Sequence, residues 1–368
     1  VKRRIILVTD SLEPSGMGEN MLTLGTALAD EFDVLVAAST SEHCAPFLLT
    51  AASRSLRIKS FAHDRPAELR RWLKAYAPDL VHVHAGIGWE GHGLVRTARA
   101  IGVPVIRTEH LPDLLTSVVQ QAEYRAMLLS VDQRIAVSKG VADSYRNRGG
   151  GRMTVVLNGI APRAPSLSRK DMRARLGISL DETLVITIAR FTAQKGHEVL
   201  LAAVPSVLRA RPKTKFALVG SGPEREAITS RVSSAGLEED VLLLGPRTDV
   251  PDLLAAADLF VLPSLFEGLP LAVLEAMAAR VPIVATAIGG VVEALGADHG
   301  HLVAPGDPEA LAQAILGALA DPDNTTRLAQ AASRRFAERF VAQRMCEQTA
   351  QIYRALLTTH TSKVSAYA

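Results

Sequence analysis

Arg4-Ile5-Ile6-Leu7-Val8-Thr9 is a short, unbroken apolar run, and it leads within a few residues into Ser15-Gly16-Met17-Gly18-Glu19. A helical pattern follows through Leu22, Ala27 and Leu28. A continuous apolar run without alternation is the pattern of a strand buried on both faces, as in a parallel sheet covered by helices. The unit is therefore strand, glycine turn, helix. The pattern recurs: compact strands are predicted at 33–38, 79–84, 104–108 and 133–137, with helical segments between most of them. Such alternation predicts a doubly wound parallel sheet.

The alternation then stops and restarts. Asn158-Gly159, followed by Pro162, Pro165 and Ser166, reads as a turn and linker, after which a helix is predicted over 169–176. Strands are predicted at 183–189, 215–219, 241–244, 259–262 and 282–285, with helices between them. A final helical stretch is predicted over 334–357, long enough to pack across both halves. The expected division is 1–162, a first Rossmann-like domain; 163–340, a second; and 341–368, a crossover helix and tail. A chain of 368 residues suits two domains of about 150–200 residues each.

Composition excludes several classes. With 48% hydrophobic and 21% charged residues the chain is an ordinary globular protein, and its two cysteines, Cys44 and Cys346, give neither a disulfide framework nor zinc-type spacing. The apolar run 281–292 is too short for a bilayer, and the apolar start too short for a signal peptide. The expectation is a protein of the reducing cytoplasm. The net charge is +3, and residues 1–160 carry 19 Lys and Arg against 16 Asp and Glu, so the excess lies in the first half. Arg70, Arg71 and Lys74 around Trp72 read as a solvated helix face, with weak peripheral contact at the inner membrane face as the alternative. No basic run carries interleaved aromatics, which argues against nucleic acid as a partner.

Ligands of open parallel sheets gather at the carboxyl ends of the strands. Arg190 directly follows one predicted strand, and Lys195 lies where the next helix begins. Two cations at a helix start suit a diphosphate; the alternative is a pair of ordinary surface charges. Gly16 and Gly18 occupy the first strand-to-helix turn, where backbone could approach a phosphate or sugar. Gly220-Ser221-Gly222-Pro223 follows another strand, but it lacks the third glycine of a dinucleotide fingerprint and reads as a tight turn.

Phe266-Glu267-Gly268-Leu269-Pro270-Leu271 continues into a helix carrying Glu275, whose neighbours three and four away are Leu271, Ala272, Ala278 and Ala279. A carboxylate on an apolar face must pair, neutralise or meet a ligand. A hydroxyl-rich ligand and a structural partner in a nearby loop remain equal alternatives. His82 and His84 are two apart on one strand and face the same side. That spacing admits a metal, but no carboxylate-rich cluster or HExxH accompanies it. His110, at a strand end beside Glu109, is a candidate substrate contact, with a packed histidine as the alternative.

With these pieces placed, the whole chain resembles a GT-B glycosyltransferase of the retaining family 4 group. Glu267 and Glu275 match that family's Glu-x7-Glu motif, Ala189-Arg190-Phe191-Thr192-Ala193-Gln194-Lys195-Gly196 resembles its G-R-x(4)-K-G segment, and Gly220 to Pro223 resembles its G-x-G-P turn. Gly289-Gly290-Val291-Val292-Glu293 resembles its G-G-x-x-E segment. The resemblance implies two Rossmann-like domains facing a central cleft, the last helix crossing back to the first domain. It implies transfer of a sugar from a UDP- or GDP-linked donor to a sugar, lipid or small-molecule hydroxyl acceptor, with retention and with no metal or other cofactor. By that resemblance Arg190 and Lys195 hold the diphosphate, and Glu275 accepts from the ribose hydroxyls. Glu267 contacts the moving sugar, His110 stands on the acceptor side, and backbone at Gly16, Gly18, Gly268 and Leu271 meets donor. The chain departs from the pattern at Met17, Ala161, Ala189, Pro270 and Val292. Two alternatives from other classes are a silent nucleotide-sugar-binding protein of the same fold and a metal-dependent hydrolase built on His82 and His84.

Overall fold

The computed structural model describes residues 2–62 and 64–366. Val1, His63, Tyr367 and Ala368, which fall in the expected first domain and tail, lie outside the described residues. The chain divides into two compact units, Val1–Ala161 with Phe340–Ala368, and Pro162–Arg339.

The first unit is built on seven strands: β1 (Arg4–Thr9), β2 (Asp33–Ser39), β3 (Arg57–Phe61), β4 (Leu80–Ala85), β5 (Val105–Glu109), β6 (Gln133–Ala136) and β7 (Thr154–Val155). Their order across the sheet is β3-β2-β1-β4-β5-β6-β7, with every neighbouring pair parallel. Ile5 through Val8 are buried, as a strand covered on both faces requires. β3 and β7 escape the sequence reading for a physical reason. Both are edge strands, four of the five residues of β3 are exposed, and Arg57 and Lys59 break any apolar run. Charged, short edges of this kind discourage pairing with another chain.

The helix Ser15–Leu28 covers one face of this sheet, and the helix Ala342–Ala366 packs on it. Met21, Leu24 and Leu28 share a core with Met345, Cys346, Ala350 and Tyr353. The single final helix expected over 334–357 is in fact two, Pro322–Arg339 and Ala342–Ala366. The break falls where the backbone leaves the helix to bond elsewhere: Ile160 N donates to the Phe340 carbonyl at 3.0 Å and Ala342 N donates to the Ile160 carbonyl at 2.9 Å. Gly159 permits this approach, because a Cβ there would lie 2.6 Å from the Val341 carbonyl oxygen. The last helix thus belongs wholly to the first unit, while the helix before it belongs to the second.

The second unit holds β8 (Thr183–Ile188), β9 (Thr214–Val219), β10 (Val241–Gly245), β11 (Leu259–Leu262), β12 (Ile283–Thr286) and β13 (His301–Val303). They lie in the order β10-β9-β8-β11-β12-β13, again all parallel. β13 was not foreseen; it is three half-buried residues at an edge, too short for a periodic signal. In both sheets strand order reverses beside the first strand, between β1 and β4 and between β8 and β11. Loops leaving the carboxyl ends at such a point diverge to opposite sides and open a crevice for ligand.

Candidate functional site

In the second unit, Arg190 follows β8 and Glu267 follows β11, so the reversal point brings the two loops together. Lys195 Nζ lies 2.5 Å from Glu267 Oε1, and Ser264 Oγ donates to the same oxygen at 2.8 Å. Gln194 Nε2 donates to the Phe266 carbonyl at 3.0 Å and lies 3.4 Å from Glu267 Oε2. Glu267 is buried and Lys195 nearly so, with side chains 5% and 16% exposed. A carboxylate this deep needs a cation and hydroxyl donors, and it has both.

Sequence reading assigned Lys195 and Glu267 to different parts of a ligand and did not foresee their contact. It also missed Ser264 and Gln194, which lie within the same two strand-end loops and were reachable by the same positional rule. Lys195 closes a short 3-10 turn, Ala193–Lys195, and the following helix begins only at His197. Gly196 joins the two at φ +65°, and a Cβ there would meet the Pro263 carbonyl oxygen at 2.1 Å. That contact fixes the Lys195 loop against the end of β11.

Glycines elsewhere in the unit serve the same end. Gly220 and Gly222 press on the chain at 189–191: a Cβ on the first would lie 2.0 Å from the Ala189 carbonyl oxygen, and on the second 2.4 Å from that of Phe191. Phe191 N donates to the Ser221 carbonyl at 2.8 Å, and the Arg190 carbonyl bonds His197 Nε2 at 3.0 Å. The tight turn therefore props the backbone that carries Arg190. Gly290 opens the helix Gly289–Leu295 against Gly268, where a Cβ would fall 1.6 Å from the Gly268 carbonyl oxygen.

Glu275 differs from its expected setting. In the helix Leu271–Ala278, Val273, Leu274, Ala276 and Met277 form the buried face. Leu271, Ala272, Glu275 and Ala278 lie on the other side and are half-buried. Its neighbours are small or apolar but only half-buried, so the buried carboxylate of the motif is Glu267. Leu271 is the first residue of this helix, where backbone N–H groups lack intrahelical partners, and Gly268 is buried in the turn before it.

In the first unit, Gly16 and Gly18 lie inside the helix Ser15–Leu28, not in the turn before it. Gly16 is exposed at its first turn. Gly18 is buried, and a Cβ there would lie 2.9 Å from the Phe47 ring, so its bareness serves packing. In the loops after β1 and β4 stand two carboxylates the sequence reading passed over. Asp10 Oδ1 accepts from Gly91 N at 2.8 Å, and Glu90 Oε2 accepts from Gly86 N at 2.6 Å and Ile87 N at 3.2 Å. Burial pushes both carboxyls up from their ordinary range, partly offset by these N–H bonds.

His110 follows β5 and is buried, its Nε2 3.0 Å from His84 Nδ1. Burial holds its pKa down at about 3. His82 and His84 do face one way, ring centroids 4.1 Å apart. His82 Nδ1 meets Tyr353 Oη at 2.6 Å and Nε2 meets Thr108 Oγ1 at 2.7 Å, so both its nitrogens are engaged inside the fold. Glu109 turns away from His110 into a salt bridge with Arg107 at 2.6 Å, and Tyr124 Oη donates to it at 2.7 Å. Among the described residues, no group of three or more His, Cys, Asp or Glu is placed to hold a metal ion. No helix of the described residues is long and apolar enough to cross a membrane.

Residues 168–335 match the family model for glycosyl transferases group 1, and residues 14–163 match that for glycosyltransferase family 4. The alpha-maltose-1-phosphate synthase of Mycolicibacterium smegmatis is 30% identical over 323 residues, a match covering 78% of this chain and 82% of that protein. TuaC of Bacillus subtilis, assigned as a teichuronic acid biosynthesis glycosyltransferase, is 32% identical over 247 residues, covering 65% of this chain and 60% of TuaC. Among solved structures, Anabaena HepE in complex with UDP and glucose superposes with a TM-score of 0.84 at 22% identity, covering 96% of this chain and 100% of that one. The sucrose-phosphate synthase of Thermosynechococcus elongatus superposes at 0.80 and 22% identity, covering 97% and 100%. These structures share the GT-B arrangement of two parallel-sheet Rossmann-like units.

Proposed function

This chain belongs to the group 1 glycosyl transferases, and from that membership we propose that it moves a sugar from a UDP- or GDP-linked donor to a hydroxyl acceptor with retention at the anomeric carbon. The observation that carries the reading is the joining of Lys195 and Glu267 at the β8/β11 reversal, with Arg190 on the adjoining strand end. There a diphosphate meets two cations, and Glu267 holds the Lys195 ammonium in place for it. The HepE structures with UDP and with UDP-glucose favour a uridine donor.

In the proposed step the bond between the sugar C1 and the β-phosphate oxygen breaks as the acceptor hydroxyl oxygen bonds C1 from the leaving-group face. The hydroxyl proton passes to the departing phosphate, and the nucleoside diphosphate leaves. Negative charge grows on that diphosphate, and Arg190 and Lys195 stabilise it as fixed cations, the service a divalent metal gives in other transferases. Glu275 accepts from the ribose hydroxyls, and in the first unit His110 is the candidate acceptor contact. Backbone at Gly268 and Leu271 completes the second unit's donor contacts, and Gly16 is the first unit's candidate for donor contact. Two buried free cysteines accord with a reducing compartment.

A thermal-shift screen against UDP- and GDP-sugars, with and without EDTA, tests the reading, since a ligand of the native state raises its apparent stability. The expected result is a shift with one such donor that EDTA leaves unchanged. No shift with any nucleotide sugar would overturn it. Release of nucleoside diphosphate on incubation with donor separates a transferase from a silent binder.

A further inference from the structure

His84 and His110 meet nitrogen to nitrogen at 3.0 Å, so one proton lies between two neutral rings. Burial lowers both pKa values far below the ordinary histidine range, which keeps the rings uncharged near neutral pH. Which ring supplies the proton follows from the other end of His84. Its Nε2 is buried and has no hydrogen-bond partner among the described residues.

If His110 donated, His84 would carry its own proton on that sealed Nε2, leaving a buried N–H with nothing to accept it. Orphaned buried N–H groups are rare in folded proteins, whereas an unmet acceptor is better tolerated. If His84 donates from Nδ1 instead, only a bare lone pair is sealed away. His110 must then carry its proton on Nδ1. That atom has no partner among the described residues and, unlike His84 Nε2, is not among the sealed polar atoms, so it is the nitrogen of this pair left available to a ligand.

We propose that His84 is a positioning residue that holds His110 as its Nδ1–H tautomer, so that His110 offers the site a hydrogen-bond donor and not a general base. The ligand atom it fits is an oxygen acceptor, a sugar hydroxyl or ring oxygen of substrate. His82, its ring tilted 32° to that of His84 with centroids 4.1 Å apart, is tied to Tyr353 and Thr108 and so packs as a fixed wall against the His84 ring. The substrate contact rests on the transferase reading; the tautomer does not.

Long-range 1H–15N correlation spectra of 15N-histidine-labelled protein, without substrate, report which nitrogen of His110 is protonated. The Nδ1–H form is expected, and the Nε2–H form would overturn the proposal. His84→Asn keeps a donor near the Nδ1 position and should preserve the tautomer, while His84→Asp presents an acceptor and should switch it. With the donor identified by thermal shift, His84→Asp should lower kcat at least tenfold at an unchanged donor Kd, and His84→Asn should retain clearly more turnover. Equal kcat in the two variants, both folded, would also overturn it. If no nucleotide sugar binds, the transferase reading fails while the tautomer assignment is still read from the wild-type spectrum.

Discussion

Lys195 Nζ and Glu267 Oε1, 72 residues apart in the chain, lie 2.5 Å from one another at the point where the second sheet reverses its strand order. The pair ties the loop after β8 to the loop after β11, and through Gln194 it fixes the Phe266 backbone as well. Each partner depends on the other for being tolerable at that depth.

Lys195→Ala should therefore do two things. It removes a cation from the diphosphate, lowering turnover about 100-fold or more. It also strands a buried carboxylate, costing about 2–3 kcal/mol and lowering the midpoint of thermal unfolding by roughly 5–10 °C. Adding Glu267→Gln should recover most of the stability and none of the turnover. Calorimetric unfolding and a nucleotide-release assay on the single and double variants check this; additive stability losses would mean that the two residues are not coupled.

Arg190→Ala should lower turnover by a similar factor while the protein stays folded, because the Gly220–Gly222 turn and His197 hold the backbone at Arg190. Arg190→Lys should restore only part of it, since an ammonium cannot reproduce the two-pronged geometry of a guanidinium on phosphate. Steady-state rates with circular dichroism of each variant decide the matter.

Glu275→Ala should weaken nucleoside diphosphate binding about tenfold, the worth of a hydrogen bond to a charged acceptor. Glu275 is half-buried, and circular dichroism of the variant checks that its fold is kept. Titration calorimetry with UDP and GDP measures the affinity. Wild-type affinity for both would remove Glu275 from the ribose.

Gly290→Ala should cost about 3 kcal/mol or more, the upper end of overpacking penalties, because the new Cβ meets a backbone carbonyl that cannot swing aside. The strain falls on Gly268, next to Glu267, so turnover should drop together with stability. A variant with wild-type unfolding would show that the helix start can shift freely.

The first unit should lose stability as pH falls below about 6.5. His82 and His110 have folded pKa values of about 3, held down by burial, so the unfolded chain binds protons that the folded chain refuses. Stability is fully present above the unfolded pKa and is lost as pH falls toward the folded one, at up to roughly 1.4 kcal/mol per pH unit for each histidine. Urea unfolding at pH 7, 6 and 5 should show this slope, and His82→Gln should reduce it by about one proton's worth.

The sequence determined the two Rossmann-like halves and the strand ends that matter, because buried parallel strands advertise themselves as apolar runs: Ile5 to Val8 and Leu259 to Leu262 could hardly be anything else. It also singled out Arg190, Lys195 and His110 by their places after those strands, and Glu267 and Glu275 by the turn and helix that carry them. Edge strands such as Arg57–Phe61 were silent, since an edge needs no apolar face. Only the tertiary structure decided who meets whom. The pairing of Lys195 with Glu267, the break at Phe340 caused by Ile160, the packing duty of Gly18 and the contact of His84 with His110 join residues far apart in sequence. Periodicity reports how a segment faces its own sheet, but a hydrogen bond between two loops depends on strand order and on backbone approach to within a few ångströms, and neither is written in any local stretch of the chain.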